Sequence, residues 1–168
     1  MDDCGQRVIV GVDGSVGSLR ALRRGLTEAR LRGSVLYAVL AWSPPGGEIA
    51  DRRSSGAHLR LRWEQTAWER LQKACTDALG GFPPDVTIRL LVARGTPRRT
   101  LVNLADQETD LLVVGAGRRN ALRRAFAGSV AKCCTARAHC PVLVVPPSPL
   151  PRRIKHPERP EWNDHVQA

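Results

Sequence analysis

The chain has 168 residues, 42% apolar and 25% charged, with 26 Lys and Arg against 16 Asp and Glu, a net charge of +10. That is one domain's worth of an ordinary globular protein, and it excludes a collagenous, coiled-coil or wholly disordered chain. No apolar run approaches the ~20 residues that cross a bilayer. The opening, Met1-Asp-Asp-Cys-Gly-Gln-Arg7, has neither the cationic start nor the apolar stretch of a secretory leader, so a cytoplasmic location is expected.

Arg7 to Val12 is a short β-branched run and predicts a buried strand. Asp13-Gly14-Ser15 is a turn leading into a helix. Leu19, Leu22, Leu26 and Ala29 then recur at three- and four-residue steps, which predicts an amphipathic helix from Ser15 to Arg32, stopped by Gly33. Ser34 to Trp42 reads as a second buried strand, and Pro44-Pro-Gly-Gly47 opens a loop that runs to Gly56. Leu59, Trp63, Ala67, Leu71, Ala74 and Ala78 have helical spacing, with Gly80-Gly81 and Pro83-Pro84 as the stop.

Val86 to Ala93 predicts a third strand. Thr96-Pro97 is an N-cap followed by a first-turn proline, and a helix through Leu101, Leu104 and Ala105 follows. Asp110 to Gly115 is a fourth strand, Val130 to Ala138 a helix opened by Gly128-Ser129, and Cys140 to Pro146 a fifth strand. The domain is therefore set at residues 1–146. Residues 147–168, rich in proline and charge, are expected to form a disordered tail. Five apolar strands alternating with helices predict an α/β fold of three layers, doubly wound around a five-stranded parallel sheet.

The five cysteines, Cys4, Cys75, Cys133, Cys134 and Cys140, are odd in number and show no C-x-x-C spacing. They read as reduced thiols packed as small apolar groups. The four histidines are scattered without a nucleophile partner, and neither a Ser-His-Asp set nor a metal-ligand spacing is present.

In a doubly wound sheet ligands bind beyond the carboxyl ends of the strands, where the winding reverses. Four segments therefore matter: Asp13-Gly14-Ser15, Ala41-Trp42, the turn after Ala93, and the loop after Gly115. Gly115 and Gly117 allow a sharp turn and close approach of main chain to a ligand. Gly128-Ser129 opens a helix whose free N–H groups and dipole attract an anion. Arg118, Arg119, Arg123 and Arg124 lie between the two glycine clusters, inside a stretch from Leu111 to Pro157 with no acid at all. A phosphate held between the two clusters fits this pattern; tight turns, an ordinary Ser cap and a solvated basic face fit it equally. Neither the Gly-Lys-Ser/Thr of a Walker loop nor the dinucleotide fingerprint is present.

The chain resembles the universal stress protein family of the adenine-nucleotide alpha-hydrolase-like superfamily. The resemblance runs from about Arg7 to Pro146. It rests on Val8-Ile-Val-Gly-Val-Asp-Gly-Ser15 with Ser18 and Ala21, on Gly95-Thr-Pro97 with Leu101 and Ala105, on Asp110-Leu-Leu-Val-Val-Gly115, and on Gly128-Ser-Val130 leading to Cys140-Pro-Val-Leu-Val-Val145. It implies a stress-responsive regulatory module, not an enzyme, that binds ATP, with magnesium brought by the triphosphate. By the same resemblance Asp13 meets the ribose or adenine edge, main chain near Ala41 meets adenine, and Gly14 and Ser15 belong to the nucleotide site. Gly115, Gly117, Arg118, Gly128, Ser129 and Val130 form the phosphate loop. Family members with ATP carry a glycine at the position of Arg118; here Gly117 stands one residue early.

The resemblance further implies a homodimer paired through the last strand, Pro141 to Val145. Two alternatives stand beside the ATP reading: a dimeric scaffold that has lost the nucleotide because of Arg118, and a polyanion-binding protein. Nucleic acid is the less favoured partner, because no aromatics interleave the arginines for base stacking.

Overall fold

The computed structural model describes residues 5–45, 56–117 and 130–146. Arg118, Gly128, Ser129 and the predicted tail 147–168 lie outside them. Along the chain the elements are β1 (Arg7–Gly11), α1 (Val16–Arg32), β2 (Val35–Trp42), α2 (Ala57–Leu79), β3 (Ile88–Arg94), α3 (Pro97–Leu104), β4 (Leu111–Gly115), α4 (Val130–Arg137) and β5 (Val142–Val145). The strands form one parallel sheet in the order β3-β2-β1-β4-β5. The predicted elements are all present among the described residues. The third strand starts two residues later than expected, and the fifth is confined to four residues.

Side-chain alternation along the strands divides the core between the two faces. Val8, Val10, Leu36, Ala38, Leu111 and Val113 pack with Leu22 and Leu26 of α1 and Leu71 and Cys75 of α2. Ile9, Val39, Leu112 and Val114 pack on the other face with Leu101 of α3 and Ala131 and Cys134 of α4. Both faces are apolar, so the strands read as continuous hydrophobic runs.

The amino edge of the sheet is held by ion pairs. Arg7 grips Asp110 with two hydrogen bonds, Nε to Oδ1 at 2.8 Å and Nη2 to Oδ2 at 2.6 Å. Asp110 is fully buried and also accepts from the Gln107 N–H. The Asp110 carboxylate raises the Arg7 pKa further, against the opposing effect of burial. Arg30, at the end of α1, pairs with Asp85 before β3.

Candidate functional site

Chain order places the winding reversal between β1 and β4. β1 leads outward to β2 and β3 on one side, and the chain then returns to lay β4 and β5 on the other. The carboxyl ends of β1 and β4 therefore border the crevice where such folds receive ligands.

At the end of β1, the Val12 N–H continues the ladder by donating to the Val39 carbonyl at 2.8 Å. Asp13 then projects from the sheet, exposed. Its Oδ1 accepts from the Ser15 N–H at 2.9 Å, closing an Asx turn through Gly14 at φ +79°. Ser15 caps α1, its Oγ accepting from the Ser18 N–H at 3.3 Å. The buried Ser18 hydroxyl locks the turn from below, donating to the Ser15 carbonyl at 2.9 Å and accepting from the Asp13 N–H at 3.2 Å. Partial desolvation pushes the Asp13 carboxyl upward, but hydrogen bonds from Ser15 and Ser18 outweigh it and hold the pKa below the usual carboxylate range. Asp13 is thus an ionised acceptor aimed at the crevice, and no cation lies within ion-pair distance of it among the described residues.

β4 closes the other side. Gly115 pairs with Val145, and the next N–H, that of Ala116, donates to the Val145 carbonyl at 2.9 Å. A Cβ at Gly115 would stand 2.8 Å from the Gly17 carbonyl oxygen and 2.9 Å from its carbon. The strand end is therefore seated directly on the first turn of α1, as only glycine permits. Gly117, two residues on, has φ +81°, a left-handed turn away from the sheet.

The end of β2 contributes main chain. Leu36 and Trp42 bond toward β3, through Leu36 N–H to Thr87 O and Gly95 N–H to Trp42 O. The alternation of the ladder turns the N–H and C=O of Ala41 the opposite way, toward β1 and beyond its last residue. One main-chain donor and one acceptor are thereby directed past the end of β1.

Two residues reach this end without having been singled out in the sequence. Arg70 of α2 donates from Nη2 to the Asp13 carbonyl at 3.5 Å. Trp63, two turns earlier on the same stripe, meets Trp42 with ring centroids 6.5 Å apart, and Arg94 lies 5.9 Å over the Trp42 ring. Trp63 was legible only as an apolar position of α2. Arg70 had no signal beyond its place next to Leu71, because its role depends on how α2 lies across the sheet. Asp13, Gly14, Ser15, Ala41, Gly115 and Gly117 are gathered at the carboxyl end as expected, and Val130 begins α4.

Comparison with known proteins agrees with this geometry. The model of the universal stress protein family matches residues 5–146. The chain belongs to the universal stress protein family. A universal stress protein of Mycobacterium tuberculosis is 32% identical over 144 residues, which are 82% of this chain and 43% of that protein. The chain thus spans less than half the length of that mycobacterial protein. A universal stress protein of Methanocaldococcus jannaschii is 30% identical over 83% of this chain and 81% of its own. Among solved structures, a universal stress protein in complex with cAMP is 30% identical, with a TM-score of 0.54 over 84% of this chain and 96% of that one. A universal stress protein of Lactobacillus plantarum, 20% identical, shares the fold at a TM-score of 0.60 over 83% of this chain and 97% of its own. Among the described residues of this family member, no His, Cys, Asp and Glu group is placed to hold a metal ion, and no helix is long and apolar enough to cross a membrane.

Proposed function

We propose that this universal stress protein is a cytoplasmic, adenine-nucleotide-binding regulatory module, with ATP as the ligand and magnesium entering on the triphosphate. The observation that carries the reading is the fit of Gly115 against the backbone of Gly17 and Ser18. It brings a glycine turn, a helix N-terminus and the Asp13 carboxylate, which has no ion pair among the described residues, to one crevice. An ionised carboxylate suits ribose hydroxyls, main chain at Ala41 suits the adenine edge, and the turn at Gly117 suits a phosphate run toward Arg118, Gly128, Ser129 and Val130. The cAMP complex of a 30% identical relative supports an adenine nucleotide and adds the cyclic monophosphate as a competitor for the site. The module acts by occupancy of this crevice, and no chemical step is assigned. Copies pair through β5, whose outer edge carries no strand among the described residues.

The test is to purify the full chain, denature it, and read released nucleotide by absorbance and mass. Calorimetry with ATP plus magnesium, cAMP and adenosine then ranks the ligands. Clean protein that gives no heat with any of them refutes the reading. Appearance of ATP affinity only in Arg118→Gly would establish the scaffold alternative. Steeply salt-dependent binding of polyphosphate without adenine preference would establish the polyanion alternative.

A further inference from the structure

The opposite edge of the sheet carries a feature that nucleotide binding does not use. Between α2 and β3 runs an open groove of about 530 Å³, lined by Leu61, Glu64, Gln65 and Trp68 of the helix and by Leu90, Leu91 and Val92 of the strand. Three consecutive strand residues line it because the strand's own backbone edge forms one wall. Leu61 and Trp68, two turns apart on one stripe of α2, are 67% and 37% exposed. β3 pairs with β2 on one side and with no strand on the other among the described residues.

The hydrogen bonds fix which groups face outward. The Thr87 carbonyl accepts from Leu36 and the Gly95 N–H donates to Trp42, so the odd-numbered residues of β3 bond to β2. The N–H and C=O of Ile88, Leu90, Val92 and Arg94 therefore point away from the sheet. An edge strand of seven residues, five of them apolar and half-buried, with no proline, lysine or acid within it, is a template for another strand.

We infer that β3 pairs antiparallel with β3 of a second copy of this chain about a two-fold axis at Leu91, with the α2 grooves of both copies joined across the axis. The sequence Ile88-Arg-Leu-Leu-Val-Ala-Arg94 is complementary to its own reverse in this register. Leu90 stands opposite Val92 of the second copy, Leu91 opposite Leu91, Arg89 opposite Ala93, and Ile88 opposite Arg94. No two like charges face each other, which is the condition a strand pair must meet. All four outward-facing residues fall in hydrogen-bonded pairs, giving about eight new backbone bonds. Leu90 and Val92 project on the side of α2, so Leu61 and Trp68 of both helices are drawn over one continuous apolar strip. The arginines have partners within their own chain: Arg89 donates to the Tyr37 hydroxyl at 3.1 Å and Arg94 covers Trp42. This edge is distinct from β5, which lies four strands away, so copies joined at both edges form a lengthening row.

Sedimentation velocity of the full chain, over low-micromolar to near-millimolar concentration, tests the inference. Trp68→Glu places a charge in the groove at an exposed position. Val92→Pro removes an outward N–H while leaving the ladder to β2 intact. Val144→Pro is the matching block at the β5 edge, and circular dichroism checks that each variant is folded. The wild-type mass should rise with concentration. Val144→Pro should remain a dimer, and adding either Trp68→Glu or Val92→Pro should halve its mass. The inference is overturned if folded Val144→Pro is monomeric throughout, if the wild type is monomeric, or if neither β3-side change alters the mass.

Discussion

Replacing Gly115 by alanine isolates the contact on which the crevice depends. The added Cβ would lie 2.8 Å from the Gly17 carbonyl oxygen, where ordinary contact begins at 3.4 Å. The shortfall is about 0.6 Å, and it is against backbone of a capped helix that cannot rotate away. Gly115 sits in β4 and its φ carries no left-handed penalty, so the whole effect is steric. Overpacking of this kind costs about 1–3 kcal/mol, which lowers the thermal midpoint by about 2–4 °C for each kcal/mol in a domain of this size. Parting α1 from β4 also displaces Asp13 relative to the loop, so ATP affinity should fall about tenfold, or roughly 1.4 kcal/mol. Thermal unfolding and calorimetry of Gly115→Ala read the two effects. Gly117→Ala is the control, since nothing lies within 4 Å of its Cβ but φ is +81°. It should lose about 1–2 kcal/mol through conformation alone. A Gly115→Ala protein as stable as the wild type and equal in affinity would refute the close approach.

Asp110→Ala removes the buried acceptor of the Arg7 Nε and of the Gln107 N–H, while Arg7 keeps Asp106 and the Leu104 carbonyl, and should cost about 1–3 kcal/mol in urea unfolding. Asp13 has a depressed pKa in the fold, so its contribution, about 1 kcal/mol after allowance for exposure, is present above the ordinary carboxylate range and lost as pH falls through the lower folded value. The stability gap between wild type and Asp13→Asn should therefore be larger at pH 7 than at pH 3, and an equal gap would contradict the hydrogen bonds from Ser15 and Ser18. Burial pushes the thiols of Cys75 and Cys134 up to about 11. Alkylation mapped by mass spectrometry at neutral pH should mark both only on unfolding, with the half-buried Cys133 labelled ahead of them.

The architecture was legible because the strands are mainly apolar runs and several helix ends carry a cap or stop residue. Ser15, Gly33, Thr96-Pro97 and Gly80 all sit at the helix boundaries where their chemistry predicts them. Gly115 was legible as a place of close approach, though not that the approaching group is the first turn of α1. What escaped was whatever depends on the distance between elements remote in sequence. Arg7 and Asp110 are 103 residues apart, and each alone reads as an ordinary surface charge at a strand start. Arg70 meets Asp13 across 57 residues. The groove beside β3 was hidden for the same reason: Leu61 and Trp68 lie off the apolar stripe of Leu59, Trp63, Ala67 and Leu71, and only the strand order reveals that they border an edge.

The ion pairs at the amino end have a counterpart in what the carboxyl end omits. One rim of the sheet is clamped by Arg7 with Asp110 and by Arg30 with Asp85, whereas the other rim, among the described residues, holds a carboxylate outside any ion pair, a guanidinium at 3.5 Å from a carbonyl and two glycines. Amide exchange should therefore be slowest around Arg7 and Leu111 and should respond to an added ligand at Asp13 to Ser18, at Ala41, and from Gly115 on to Val130. Such a molecule would report occupancy by stiffening one lip of an otherwise fixed frame, leaving the strands beneath unchanged.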